Sequence, residues 1–326
     1  MNHRLCVLLL VVLTACETTS SSHRPDKPSA TTEGNSLWDK IAAARAARRD
    51  APASTLPDDP AAGALALPAG FKPTIDAAWA KFLKDDPEWP ASRASWIALG
   101  PPGPLLLAEN LLRAHVLAFD GEDRRLFVRS RVELIERRAD AIPLLVAGLA
   151  SGQGDTTVRN LSEDLLALMG DVASVACVDA YPTVTTERGR RSMARVLKKS
   201  RSKAGIDTLI AVARSNEPFA TRLEAVEGLG EIADPRGYET LLTCVGDADP
   251  SVAKFACHYI SAFRNRAAIP ALIETLDRAV RERNDELSAT ALRSLNVLAG
   301  RKLPGDPARW RTLVRAGEIK IDGVAR

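Results

Sequence analysis

Aromatic residues are scarce in this chain: Phe, Trp and Tyr make up 5% of its 326 residues, although 46% of the residues are hydrophobic. The apolar content comes mainly from Ala, Leu and Val. Sandwiches and barrels of β-strands draw on aromatic residues, whereas Ala and Leu are strong helix formers. The composition therefore predicts an all-α fold with enough apolar residues for a substantial core.

A charge excess of either sign is also missing, because 44 Lys and Arg face 41 Asp and Glu and leave a net charge of +3. This balance gives no general reason to expect a polyanionic partner. A partner that binds through charge attraction would have to recognise a local cluster of charged residues.

Motifs of catalysis and metal binding are absent from the sequence. It has no CxxC, P-loop, HExxH or GxSxG pattern, no GxGxxG after a strand, and four scattered histidines. We predict no catalytic residue, no metal site and no cofactor, and we expect that the protein is not an enzyme.

Two cysteines, Cys244 and Cys257, fall 13 residues apart on helices of one predicted hairpin. A disulfide between them would leave Cys177 unpaired, so we favour their interpretation as small buried hydrophobic residues. His258 is interpreted as a helix-face residue and not as a metal ligand.

The N-terminal apolar run is too short for a membrane span. One positive charge at Arg4 precedes the run over residues 5–13, whereas a spanning helix needs about 20 apolar residues. This layout is typical of a secretory signal peptide, which we place at residues 1–15.

Residues 13–16, with the sequence LTAC, resemble the lipobox of bacterial lipoproteins. The resemblance implies that Cys16 becomes the first mature residue and carries lipid, with Cys6 in the discarded segment. Glu17 follows in place of the Asp that retains such proteins in the inner membrane, which favours an outer-membrane protein that faces the periplasm. An ordinary signal peptide, the inner membrane and the cell surface stay as alternatives.

Residues 16–70 are rich in Ser, Thr, Pro, Ala and Asp, a composition that does not support a core. We predict a flexible linker, interrupted by a short helix at residues 36–49, where Ser36 and Asp39 resemble a capping box. This helix is expected either to pack on the folded domain or to dock to a partner.

Residues 71–326 contain a repeat of two helices. The same pattern of apolar residues recurs in four segments, 141–145, 205–209, 237–241 and 268–272. Each of these segments is expected to begin a helix. The apolar anchor of the second helix recurs every 31 to 35 residues, at Leu99, Leu134, Leu166, Leu197, Leu229, Ile260 and Leu295. Such regular spacing indicates a repeat protein.

This pattern resembles HEAT repeats, in the short form typical of bacterial proteins of the phycobilisome-lyase type, and residues 221–235 are the best copy. The resemblance implies a right-handed α-solenoid of about seven HEAT-like helix pairs over 71–326. It also implies an ionic ladder that pairs Arg159 with Asp171 and Arg222 with Asp234. The C-terminal segment with Trp310 is expected to close the last hairpin.

The most basic segment is 188–203, which holds eight Lys and Arg in sixteen residues. Helical spacing turns Met193, Val196 and Leu197 towards the core. The side chains expected towards solvent or a neighbouring hairpin, and forming a candidate partner-binding patch, are Arg190, Arg191, Arg195, Lys198, Lys199 and Lys203. The alternative is a solvated helix face relieved by nearby Asp and Glu.

Stacked helix pairs offer a long surface with few deep polar pockets, which suits protein or peptide recognition. We therefore predict a non-enzymatic interaction scaffold or adaptor of the bacterial cell envelope that binds a protein or peptide partner. A partner that binds through the basic segment is expected to be acidic. Nucleic acid is disfavoured by the export signal. The alternatives are a lyase-like or chaperone-like protein that holds a substrate, and a purely structural lipoprotein.

Overall fold

The computed structural model of the protein describes residues 71–99, 102–152 and 156–322. The regular secondary structure of these residues is helical, without strands. Cys16 and the helix expected at residues 36–49 lie outside the described residues. The α-helices in the described part are α1 (Phe71–Leu83), α2 (Trp89–Ile97), α3 (Pro102–Asp120), α4 (Arg124–Glu136), α5 (Arg138–Ser151), α6 (Thr156–Leu168), α7 (Asp171–Ala180), α8 (Glu187–Ser200), α9 (Ile206–Ala213), α10 (Phe219–Ile232), α11 (Tyr238–Val245), α12 (Pro250–Ile260), α13 (Ile269–Arg281), α14 (Asp285–Ala299) and α15 (Pro307–Arg315).

The helices pack in two ways. Each odd-numbered helix from α1 to α13 packs against the even-numbered helix that follows it. The even-numbered helices from α4 to α14 also pack against one another in chain order, and we call them the even layer. The odd-numbered helices from α3 onward follow the same order, with α7 contacting the turn that precedes α9. This arrangement is consistent with a helical repeat solenoid.

The core lies between these helices, at the positions that the sequence repeat marks. Six of the seven expected anchors are at most 1% exposed: Leu134, Leu166, Leu197, Leu229, Ile260 and Leu295. The seventh, Leu99, is only partly buried and packs against the core, while Trp96 of the same pair is fully buried. The apolar register of the second helices is therefore confirmed from α4 onward.

Three successive loops share one backbone pattern. The residue that follows α8 or α10 has a positive φ, and so does the residue that follows the short 3-10 turn at the end of α12. These residues are Arg201, Ala233 and Arg264. The next residue caps a short 3-10 turn, because its side chain accepts a hydrogen bond from the backbone N–H two residues on: Ser202, Asp234 and Asn265. This repeated cap starts the following helix where segments 205–209, 237–241 and 268–272 predicted it.

The helix opening expected at residues 141–145 is wrong. Helix α5 begins at Arg138, so Pro143 lies inside the helix and not in its first turn. Arg138, Ala139 and Ala141 are strong helix formers, and an ion pair between Arg137 and Asp140 supports the earlier start.

The even layer is tightly packed where α10 meets α12. A Cβ atom added to Gly230 would lie 2.0 Å from Cγ of Tyr259, far inside van der Waals contact. Only a residue without a side chain fits under this ring. The absence of a Cβ at Gly230 thus lets two helices of the even layer approach each other.

Large aromatic side chains close both ends of the described repeat. Near the N-terminal end, Phe82 packs on Trp79 and Trp89 with ring centroids 5.0 and 4.8 Å apart. At the C-terminal end, Trp310 of α15 is fully buried, and its Nε1 donates a hydrogen bond to the carbonyl oxygen of Pro304 at 3.0 Å. Because α15 packs against α13, Trp310 lies where the sequence predicted a closing residue.

Candidate interaction surface

Most of the basic segment 188–203 folds as α8 in the middle of the even layer, and Lys203 lies in the 3-10 turn that follows this helix. Thr186 caps its N-terminus by accepting a hydrogen bond from the N–H of Gly189. Met193, Val196 and Leu197 are fully buried, as their spacing predicted. The cationic side chains therefore lie along the opposite side of the helix, next to α6 and α10.

Each of the six basic residues predicted for the partner-binding patch forms an ion pair with an acidic residue of a neighbouring element. The pairs are Arg190 with Glu217, Arg191 with Glu224, Arg195 with Glu163 and Glu224, Lys198 with Glu224 and Glu227, Lys199 with Glu163 and Asp164, and Lys203 with Asp234. The chain thus supplies much of the negative charge that this segment faces.

Two buried glutamates stand at the centre of this ion-pair network. The side chain of Glu163 is fully buried, and it lies 3.3 Å from the guanidinium of Arg195. Glu224 is also buried, and its oxygens accept hydrogen bonds from Arg195 at 2.7 Å and from Lys198 at 2.5 Å. The network therefore links α6, α8 and α10 through charged side chains.

The pKa of Glu224 reflects two opposing effects. Burial, the larger single effect, raises it, but the hydrogen bonds and charges of Arg195 and Lys198 together outweigh burial. The pKa of this carboxyl group consequently lies below its ordinary value. Glu224 is charged near neutral pH and holds both cations in place.

These glutamates were not among the residues that the sequence singled out, although a signal was present. Arg191, Arg195 and Lys198 are spaced by four and three residues, which places them on one face of α8. Glu224 and Glu227, together with Glu231, show the same kind of spacing one repeat later. Two complementary stripes one repeat apart predict contact between neighbouring helices of a solenoid.

The expected ladder pair of Arg222 and Asp234 is wrong. Arg222 donates to both carboxylate oxygens of Asp247, in the loop between α11 and α12, and to the backbone carbonyl of Glu217. Arg190 makes the equivalent contact one repeat earlier, with the carboxylate of Glu217. Asp234 is instead occupied as the cap of its own turn and by an ion pair with Arg236. The ladder thus uses an acid from the loop inside the following helix pair.

The first ladder pair expected from the sequence is also placed differently. Arg159 of α6 donates a hydrogen bond to Oγ1 of Thr156, three residues earlier, at 3.3 Å. Asp171 lies in the first turn of α7, where a negative charge favours the helix N-terminus. Arg159 and Asp171 therefore do not form the expected pair with each other.

The three cysteines in the described part of the chain, Cys177, Cys244 and Cys257, are buried free thiols. Burial raises the pKa of Cys177 and Cys257 to about 12 and that of Cys244 to about 11. Such thiols are protonated near neutral pH and are poor nucleophiles. They act as small hydrophobic residues in the core, and Cys244 is not joined to Cys257.

His258 is exposed on α12, with its ring edge-on to Tyr259 at 4.9 Å between centroids. Among the residues that the structure describes, no group of His, Cys, Asp and Glu is arranged to hold a metal ion. In the same part of the chain, no helix combines the length and apolar character needed to cross a membrane.

Comparison with known protein families gives one match: residues 206–296 fit the family model of HEAT repeats. The matched region starts at α9 and ends within α14, so it covers three successive helix pairs and two of the three loops with the shared backbone pattern. No curated protein matches the chain. The HEAT resemblance read from the sequence is therefore supported over these residues.

Proposed function

We propose that the protein is a membrane-anchored, non-enzymatic interaction scaffold of the bacterial cell envelope. The HEAT-repeat match over residues 206–296 carries this proposal, since HEAT repeats generally mediate contacts between proteins. The even layer supports it, because its helices form a continuous surface from α4 to α14. The proposed architecture is a right-handed solenoid of about seven HEAT-like pairs, with residues 16–70 as a linker to the membrane.

The proposed partner is a protein or peptide, and its proposed contact, if it is acidic, is formed by the basic residues of α8 and by Lys203 in the 3-10 turn that follows. The ion pairs of the network limit how such a partner binds, because it must compete with carboxylates already in place. The more exposed cations, such as Lys203, cost less to redirect than Arg195 or Lys198. An acidic partner is therefore expected to contact the exposed cations, among them Lys203 in the turn after α8.

The scaffold proposal can be tested by site-specific photo-cross-linking in intact cells. One cross-linking residue replaces Val297 on α14, and a matched control replaces Val280 on α13; these side chains are 56% and 48% exposed. We expect a discrete envelope protein to be captured from Val297 and much less from Val280. Equal labelling at both positions, or no protein adduct at either, would contradict recognition through the even layer.

The membrane anchor is proposed to be a lipid on Cys16. Replacing Cys16 with Ser should move the protein from the membrane fraction to the soluble fraction, because several acyl chains anchor a protein firmly in a bilayer and the variant would carry none. Replacing Cys6 with Ser is the matched control and should leave the distribution unchanged. Membrane pellets washed at high salt give the measurement, and full retention of the Cys16 variant would exclude lipidation as the anchor.

A further inference from the structure

Four arginine side chains from α6 and α8 border one surface pocket of about 590 Å³: Arg159, Arg188, Arg191 and Arg195. The start of α8 forms one wall of this pocket. Among the lining residues that the structure describes, the only carboxylate belongs to Glu187, so these residues carry a net charge of +3. A pocket of this size accommodates a small ligand.

The four guanidinium groups differ in how far they are already neutralised. Arg195 lies 2.7 Å from Glu224, whereas Arg191 approaches the same carboxylate only to 3.5 Å. For Arg159 and Arg188, the described residues provide no carboxylate partner within 4.0 Å. The pocket therefore retains positive charge that the ion-pair network does not offset.

Arg159 gives a second and independent observation. Its Nη1 atom is buried and has no hydrogen-bond acceptor among the described residues. A buried guanidinium N–H without an acceptor costs free energy, and such groups in native proteins are normally paired. An anionic ligand that draws the Arg159 side chain towards the pocket would supply the missing acceptor.

We propose that this pocket binds the oxyanion of a phosphate group, either a free phosphate compound or the headgroup of a phospholipid. One planar guanidinium group can donate two parallel hydrogen bonds to the oxygens of a phosphate group. Several guanidinium groups can contact a tetrahedral phosphate from different sides, whereas a carboxylate is flat. The side chains of Arg159, Arg188 and Arg191 donate to the phosphate oxygens, and Glu187 limits how much negative charge fits. This site does not depend on the proposed scaffold function.

Calorimetric titration of the full-length protein in detergent tests the site at low ionic strength. The probes are pyrophosphate, and glycerophosphoglycerol as the deacylated headgroup of phosphatidylglycerol. We expect saturable binding of at least one probe, weakened about tenfold or more by Arg188→Gln with Arg191→Gln. The matched control is Arg201→Gln with Arg281→Gln, which removes the same charge outside the pocket and should leave the affinity unchanged.

The two probes distinguish the sources of the phosphate. Preference for pyrophosphate identifies a free phosphate ligand, and preference for the headgroup identifies a phospholipid. Thermal unfolding of each variant verifies that it is folded, and Arg188→Gln alone repeats the titration if the double variant is not, because Arg188 is exposed. Lack of saturable binding by either probe, or an equal loss in the control, overturns the proposal.

Discussion

Replacing Trp310 with Ala should lower the free energy of unfolding by about 3–5 kcal/mol, the range for deleting a large buried aromatic side chain. The indole of Trp310 is fully buried and also donates a hydrogen bond to the carbonyl of Pro304. Its loss leaves a cavity beneath the helix that closes the C-terminal end of the repeat. Urea unfolding followed by circular dichroism measures the change.

The neighbouring Arg309 is the control for this experiment, because it is exposed on the same helix. Arg309→Ala should change the free energy by no more than about 0.5 kcal/mol. Repeat proteins lose stability locally, so amide hydrogen exchange of Trp310→Ala should rise first in α13 to α15. Uniform faster exchange from α1 to α15, or a change as small as that of Arg309→Ala, would contradict a closing role for Trp310.

Removal of one buried glutamate should also be strongly destabilising. Glu224→Gln leaves Arg195 and Lys198 without their central carboxylate, and breaking a buried ion pair in this way costs about 3–5 kcal/mol. We expect about 3 kcal/mol, the lower end of that range, since both cations retain some solvent contact. The measurement is again urea unfolding, at neutral pH.

Glu231→Gln provides a matched control on the same helix. Glu231 pairs with Arg201, whose side chain is mostly exposed, and surface pairs contribute only about 0–1 kcal/mol. Glu224→Gln and Glu231→Gln make the same chemical change, so their difference isolates the effect of burial. Equal effects of the two substitutions would show that the buried network adds nothing beyond a surface ion pair.

Lowering the pH should remove the contribution of Glu224 to the free energy of unfolding. Its pKa is lowered in the folded protein, so its stabilising effect is fully present above the ordinary value of 4.5 and is lost as pH falls through the lower folded value. The difference in free energy of unfolding between wild type and Glu224→Gln should therefore shrink as the pH falls.

A different group, His115, acts at higher pH. Burial lowers the pKa of His115 to about 4, so both proteins lose stability together as the pH falls from 6.5 to about 4.

The ionic contacts show where reasoning from the sequence fails and why. The ladder was expected to join Arg222 to Asp234, 12 residues away, but the structure joins it to Asp247, 25 residues away. The sequence shows that an Arg and several acids recur, and many of these acids are within reach of a long side chain. The carboxylate of Asp234 pairs instead with Arg236 and Lys203, contacts that the residue pattern does not reveal.

The sequence by itself determined the all-helical fold, the apolar register and the burial of Met193, Val196 and Leu197, because helical periodicity is a local property of the chain. The tertiary structure alone decided which carboxylate each cation meets, and that Glu163 and Glu224 are buried beside α8. These contacts join residues about 30 positions apart, so they depend on how neighbouring helix pairs stack. The same stacking brings four arginines from two helices around one pocket.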